Sequence, residues 1–554
     1  MTDTRAMTVL IAGLAVALGG PLAGPASADG RRAEAPLERA QGAFDHTAFA
    51  REQRAVHEAL TAAQVSVGLD HPLSISLTDG ELERLAARNS QERRLEVGIT
   101  KSVGAVVDFS DLTSGRIAKG AQRRAVGAVR GTGAGGYVWT AAIESAEASA
   151  LRLHLSEVSL PDGAELYLYN PTGQVRGPYT GRGPSGTGDF WTHTISGSVV
   201  LVQLHVTPGT RAGANGAATF DIDEVGHLGP KFPFGTTPTT EAGSNLCSFN
   251  EPCVQNASCS SIPAAIQVAR DAVAMIEFRS GAFIYICSGG LTADTDPNTQ
   301  IPYFITANHC LSRENEADSL EAFFQFSTPC GGACFDPDGV VPSTLGADIM
   351  ATDKATDYNL LRLNEAAPAG SAFLGWTSTP VAFTNGVSLF RVSHPAGAPQ
   401  AFSRQVVDTS RPTCRSWPRG NRIYSSDTFG GTEGGSSGSP VLIGTGQIVG
   451  QLSGACGFNV GDPCDAVENA TVDGAFAAYY SQVASILDPA GGPTTTTLAS
   501  TTTTLATTTT TLAPSTTTST TLPGSCAVSG DSCVTATDCC SGTCRGRPGT
   551  RTCK

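Results

Sequence analysis

Gly434-Gly435-Ser436-Ser437-Gly438-Ser439-Pro440 sets a serine in a glycine-rich turn, with a proline three residues on. Glycine lets the backbone turn sharply and removes side chains where a ligand must come close. In such a turn the N–H groups of Gly435 and Ser437 can point at one spot. That is how an oxyanion hole is built, and losing one such donor typically costs roughly 3–4 kcal/mol of transition-state stabilisation. A serine hydroxyl is a weak nucleophile alone, so this reading requires a histidine base and an acid that orients it. The competing reading is a flexible Gly/Ser loop, and the rest of the chain has to decide.

Between residues 246 and 490 only His309 and His394 can serve as the base. His309 ends the apolar run Phe304-Ile305-Thr306-Ala307-Asn308-His309-Cys310. Cys310 follows it directly, and Cys287, in Tyr285-Ile286-Cys287-Ser288-Gly289-Gly290, is its candidate disulfide partner. A bridge there would pin the loop carrying the imidazole, as general-base geometry needs. His394 precedes Pro395 in a turn-like stretch and reads as a packed or exposed turn residue. For the acid, Asp357 opens the strand-like run Asp357-Tyr358-Asn359-Leu360-Leu361-Arg362-Leu363, ahead of Asp348 and Asp353 in weaker contexts. A carboxylate at the mouth of a buried strand can hold a histidine tautomer and stabilise the imidazolium.

These three stretches, in the order His, Asp, Ser, resemble the catalytic motifs of the chymotrypsin-like serine proteases. Subtilisin-like and α/β-hydrolase enzymes use other orders, and a Gly-x-Ser-x-Gly elbow between strand and helix is missing. Cys247 and Cys253, the run Thr432–Pro440 and Gly450-Gln451-Leu452-Ser453-Gly454 are similar to the bacterial lysyl endopeptidase branch. The resemblance covers about residues 245–490. It implies two six-stranded β-barrels with the site in the cleft between them, and no metal or organic cofactor. His309 and Asp357 come from the first barrel and Ser437 from the second. Gly435 and Ser437 supply the oxyanion hole, and Leu452, Ser453 and Gly454 pair with the substrate backbone. It also suggests bridges of Cys247 with Cys456 or Cys464 and of Cys253 with Cys330 or Cys334, leaving Cys259 and Cys414 unassigned.

Two departures bear on activation and specificity. Ser436 stands where digestive relatives carry an aspartate that binds a freed N-terminal amine, so activation falls to removal or rearrangement of a pro-region. Gly431 stands where trypsin-like pockets carry an acid. A preference for lysine before the scissile bond then rests on an acid further on, with Asp465 and Asp473 the candidates.

The remaining chain fits a secreted protein. At 554 residues the length alone suggests about three to four domains. Sixty-three glycines, 32 prolines and 16% charged residues point to a β-rich extracellular protein. A net charge of −14 argues against nucleic acid as the main partner. Sixteen cysteines, none before Cys247, fit an oxidising compartment. Residues 1–28 read as a secretory signal: Arg5, an apolar run from Thr8 to Leu18 cut short by Gly19-Gly20-Pro21, and Ala26-Ser27-Ala28. No later stretch is long and apolar enough to cross a bilayer.

Residues 29–97 carry amphipathic helical patterns at Phe49–Ala63 and Asp79–Ser90. Residues 98–228 read as a small β-sandwich, from alternating runs such as Leu151-Arg152-Leu153-His154-Leu155 and turns at Pro161-Asp162-Gly163 and Pro171-Thr172-Gly173. Its histidines, with no cysteine and no clustered acids nearby, read as surface or packing residues and not metal ligands. Together 29–241 have the position of a pro-region; a retained binding module is the other reading. Residues 229–245 form a linker with the processing site between Pro230 and Asn245, Lys231 being one candidate. Residues 491–524 repeat threonine tracts and form an extended linker.

In residues 525–554 six cysteines with an adjacent central pair resemble the inhibitor cystine knot of knottins. That resemblance implies Cys526–Cys540, Cys533–Cys544 and Cys539–Cys553, bridges standing in for a core too small to form. Arg545, Arg547 and Arg551 make the tail basic, suited to an anionic surface polymer or equally to a protective cap.

The expectation is therefore an all-β, monomeric secreted serine endopeptidase acting on protein or peptide substrates, with flanking modules. A catalytically silent secreted adhesion protein on the same scaffold is the alternative, and the presence of all three triad residue types disfavours it.

Overall fold

The structure is a computed structural model. It describes residues 33–489 except 41, 88–93, 113–119, 134–135, 208–216, 234–248, 250, 332–340 and 415, together with two short strands at 544–545 and 552–553. The expected signal peptide, most of the linker, the threonine tracts and the knottin bridges lie outside the described residues.

The Gly435 turn sits in a barrel of six strands. In hydrogen-bonded order these are Gln447–Gly457, Pro440–Leu442, Ser388–Ser393, Ala401–Val407, Arg422–Phe429 and Asn469–Ala475. The last pairs back with the first, from Gly450↔Ala475 to Gly457↔Asn469, so the ring closes. Leu389, Ile423, Val441 and Val449 fill it. Closure leaves no unpaired edge in the ring.

A second ring precedes it in the chain. Strand Val273–Ser280 pairs with Phe283–Thr292, which pairs with Tyr303–Ala307, and that with Tyr358–Leu363. The return path is one bent strand. Its second half, Ala347–Asp353, pairs with Tyr358–Leu363, and its first, Ser343–Leu345, pairs with Glu321–Phe324. Glu321–Phe324 then pairs with Val273–Ser280. The bend is at Gly346, whose φ of +70° suits glycine. Ile276, Phe278, Leu291, Phe304 and Leu361 pack inside. A helix, Phe476–Leu487, closes the domain; Tyr479 stacks on Tyr358 at 4.0 Å between ring centroids. The two barrels expected from the resemblance are both present.

The N-terminal region is the expected β-sandwich. One sheet runs Val175–Tyr179, Ala164–Tyr169, Val199–Val206, Gly136–Ser145 and Ala128–Gly133. The other carries Ala150–Ser159, Thr219–Leu228 and Leu95–Asp108. Trp139, Leu153, Leu166 and Phe220 pack between them. The helices span His46–Ala63 and Asp79–Ala86. The second starts on a capping box, Thr78 with Glu81, and stops short of the expected Ser90.

The sandwich does not end where the barrel begins. Strand Leu95–Asp108 pairs antiparallel with Phe283–Thr292, so sandwich and barrel share one sheet. Residues Glu34–Ala35 pair with Gly375–Thr377, and Glu38–Arg39 with Ala372–Phe373. The sequence pattern gave no hint of this junction, because strand partners far apart in the chain leave no local periodicity.

Four disulfides occur among the described residues: Cys253–Cys464, Cys259–Cys330, Cys287–Cys310 and Cys414–Cys456. The bridge beside His309 is as expected. All four family-suggested alternatives are corrected, Cys247–Cys464 among them, because Cys464 is taken by Cys253. Cys253 pairs with Cys464 and not with Cys330 or Cys334. Cys456 pairs with Cys414 and not with Cys247. The reason is local packing: Cys253 Sγ lies against Gly431, where the loop bearing Cys464 also arrives, and Cys414 packs beside Cys456, Tyr424 and Val472. Cys247 and Cys334 lie outside the described residues. In the tail, Cys544–Arg545 pairs with Thr552–Cys553 as a two-stranded ribbon.

Candidate active site

His309 and Asp357 come together. Strand Tyr303–Ala307 delivers His309 at its end, and the neighbouring strand Tyr358–Leu363 starts one residue after Asp357. The register Ala307↔Tyr358 sets the two ends side by side. His309 Nδ1 lies 2.9 Å from Asp357 Oδ2 and 3.1 Å from Oδ1. The backbone N–H of His309 donates to the same carboxylate at 2.9 Å. Asp357 sits at φ +62°, a left-handed conformation that costs a non-glycine residue roughly 1–3 kcal/mol. Its carbonyl accepts from Asn308 N–H and from the Gln451 side-chain amide, which hold that backbone. Burial pushes the carboxyl up, but the charge of His309 and the hydrogen bonds from its ring and backbone outweigh it. Asp357 is held below its ordinary value and stays ionised.

The competing acids are occupied elsewhere. Asp348 pairs with Arg362 at 2.8 Å, and Asp353 accepts from the Thr356 hydroxyl at 2.6 Å.

Ser437 is 4% exposed, in a turn folded against the His309 strand. Gly438, at φ +81°, makes that approach possible: a Cβ there would stand 2.2 Å from Thr306 Oγ1 and 2.8 Å from the Ala307 nitrogen. Gly435, at φ +98°, is as tight, its Cβ position lying 2.7 Å from the His394 carbonyl. Hydrogen bonds from Ser436 N–H to Glu433 and from Ser439 N–H to Ser436 shape the turn. The strand bearing Leu452 lies alongside, with Gly438 N–H donating to the Leu452 carbonyl at 3.0 Å. A register shift between Leu452 and Gly454 places Ser453 in a bulge, and Gly454 has φ +142°.

Ser288 is one of the residues the sequence does not mark. Fully buried, it donates its hydroxyl to the Gly435 carbonyl at 2.8 Å and accepts from His394 N–H at 3.0 Å. Its backbone N–H donates to the Ser437 carbonyl, and its own carbonyl accepts from Thr306 Oγ1. One serine thus ties the Ser437 turn to the first barrel. The only signal in the sequence was its adjacency to Cys287. His394 is the packed turn residue expected: buried, stacked on Phe326, with Nδ1 3.0 Å from the Ala398 carbonyl.

The two acids considered for substrate preference are both engaged. Asp465 organises its own loop through Asn459 and the N–H groups of Val467 and Glu468. Asp473 is fully buried against Arg391. A third acid, Asp427, lies before the Ser437 motif, near the end of strand Arg422–Phe429. Its carboxylate accepts from Thr471 Oγ1 at 2.9 Å, and Thr471 faces Ala455 in the barrel, one residue past Gly454. Burial pushes Asp427 up to about 6.

Residues 247–466 match the family described as lysyl endopeptidase, C-terminal domain. The chain is 28% identical over 354 residues to the lysyl endopeptidase of Pseudomonas aeruginosa, covering 62% of this chain and 72% of that one. The likeness is to a protease. A secreted RxLR effector protein of Plasmopara viticola is 24% identical over 323 residues, 54% of this chain and 73% of that one. Among solved structures, a protease of M. tuberculosis in its active form aligns at 14% identity and a TM-score of 0.28, over 43% of this chain and 91% of that one. The HtrA-type protease AlgW with a tripeptide aligns at 17% and 0.29, over 41% and 63%. At such scores neither carries weight here; the fold rests on the closed rings above. The relatives and the four disulfides together support a secreted protease, and no helix among the described residues is long and apolar enough to cross a membrane.

Proposed function

We propose that this chain is a secreted serine endopeptidase working through His309, Asp357 and Ser437. The observation that carries the reading is the doubly hydrogen-bonded His309–Asp357 pair beside the Ser437 turn. Ser437 Oγ attacks the peptide carbonyl while His309 takes its proton. Asp357 fixes the imidazole tautomer and stabilises the imidazolium. The N–H groups of Gly435 and Ser437 hold the oxyanion, and the acyl-enzyme is then hydrolysed by water with His309 as base. Leu452, Ser453 and Gly454 take the substrate backbone. No metal or organic cofactor enters these steps.

A preference for lysine before the scissile bond belongs to the same proposal. It is supported by the name of the 28%-identical relative and by the half-buried carboxylate of Asp427 beside Thr471. Residues 29–241 act as the pro-region, with processing beyond Pro233: cleavage at Lys231 would have to unseat Phe232, which is fully buried. The test is digestion of casein by the purified protein, expected for the wild type and abolished in Ser437→Ala. Equal digestion by both would overturn the reading.

A further inference from the structure

Among the described residues several attachments join 33–233 to the barrels, and three of them leave a defect if undone. The first is the strap at 33–40. Ala35 is fully buried in the barrel core, and its carbonyl accepts from Gln447 Nε2 at 3.2 Å. The Ala33 carbonyl accepts from both the N–H and the hydroxyl of Ser378 at 3.0 Å. Ala40 N–H donates to the Ser371 carbonyl at 2.9 Å, and Arg39 pairs with Asp271. The second is the shared sheet, from Ile99↔Phe283 to Leu95↔Ile286. A mixed apolar cluster lies behind it, in which Leu95, Val97 and Phe232 pack with Met275, Ile286 and Phe323.

The third is a buried polar knot. Glu277 and Glu321 are opposite each other on adjacent barrel strands, and both are fully buried. Their cation and two of their donors come from the sandwich. Arg152, 1% exposed, donates to Glu277 Oε1 at 3.3 Å and stands 4.0 Å from Glu321. Thr194 N–H donates to Glu321 at 2.9 Å, and the Thr194 hydroxyl reaches Glu277 at 3.2 Å. Ser343 adds a donor to Glu321 from the barrel side. Two buried carboxylates deprived of their arginine are strongly destabilising, since a buried charge must be paired.

We propose that residues 33–233 are a permanent part of the folded enzyme: after a cut in 234–248 the N-terminal piece stays bound as a second chain, with Arg152 as its lock. The piece completes the barrel as an added strand completes a sheet edge, a mode in which main-chain hydrogen bonds give the affinity. This goes beyond the pro-region reading, because processing becomes a nick and not a release.

The test uses the full chain carrying Ser437→Ala, with residues 236–242 replaced by the recognition sequence of an unrelated site-specific protease. After complete cutting, judged on a denaturing gel, the sample is run on a sizing column in native buffer. Co-elution of both pieces at the position of the uncut protein is expected, with separation only in denaturant. Separation in native buffer would overturn the proposal. The same cut in Arg152→Gln is expected to raise the separated fraction at least tenfold; an unchanged fraction would remove Arg152 as the lock. Because Ser437 is inactivated throughout, the outcome is independent of the catalytic reading.

Discussion

The side-chain amide of Gln451 donates to the backbone carbonyl of Asp357 at 3.0 Å, so a strand of the second barrel holds the acid of the first. Tyr479, from the closing helix, donates its hydroxyl to Gln451 Oε1 at 2.7 Å and fixes the amide's orientation. Replacing Gln451 by Leu would leave the buried Tyr479 hydroxyl without its acceptor, at about 1–3 kcal/mol before relaxation, and would leave the Asp357 carbonyl with Asn308 N–H alone. The expected result is a fall in kcat of about tenfold or more, with KM nearly unchanged, since what is lost is the alignment of Asp357 and not a substrate contact. Steady-state kinetics beside a thermal melt checks this; a raised KM with unchanged kcat would contradict it.

Asp357→Asn keeps the shape but removes the charge that faces the imidazolium. Loss of kcat by about four orders of magnitude is expected on peptide substrates, the size associated with the wrong histidine tautomer. The folded-state pKa of Asp357 is depressed, so its contribution to stability is present above its unfolded value and lost as pH falls through the folded one. Acid melts of wild type and variant should therefore converge at the lowest pH.

Glu277 gives the opposite sign. Burial raises it, Arg152 pulls it back and Glu321 raises it again, leaving it at about 7. A carboxyl raised on folding favours the folded state below its unfolded pKa, and that advantage disappears as pH rises through about 7. Stability should fall between pH 5 and pH 8, and Glu277→Gln should flatten that fall by about 1–3 kcal/mol. Urea titrations at the two pH values measure it.

Arg391 and Asp473 form a fully buried ion pair, and Arg391 also donates to the carbonyl of Ser439, two residues beyond Ser437. Asp473→Ala should destabilise the protein by about 3–5 kcal/mol, as expected when one partner of a buried pair is removed. A shift in the urea midpoint with an unchanged slope would show it.

Asp427→Asn tests the substrate preference. The ratio of kcat/KM for lysine over alanine peptides should fall at least tenfold, and in the wild type it should rise as pH passes about 6, where Asp427 ionises. A ratio insensitive to both would assign the preference elsewhere.

His309 and Asp357 were legible in the sequence because each motif is short, local and borne by a strand end, and the two barrels followed only as what the resemblance of those motifs implies. The glycines of the Ser437 turn were legible as room for a sharp bend, but the neighbour that requires Gly438, Thr306, was not. Ser288, Gln451 and the Arg152–Glu277–Glu321 knot were not. Their long-range partners lie 94 or more residues away, and a buried serine, glutamine or arginine carries no periodic mark. Asp427 carries no mark either: it precedes Ser437 in the chain, and only the closed barrel brings its strand beside Asn469–Ala475, which pairs with Gln447–Gly457. The disulfides Cys253–Cys464 and Cys414–Cys456 likewise depend on which loops the closed second ring brings together.

The most direct test of the triad is covalent labelling. Intact-mass and peptide mapping after treatment with a fluorophosphonate should show one adduct, on Ser437, formed at least a hundredfold more slowly in His309→Ala. An adduct on another residue, or equal labelling rates with and without His309, would contradict the account.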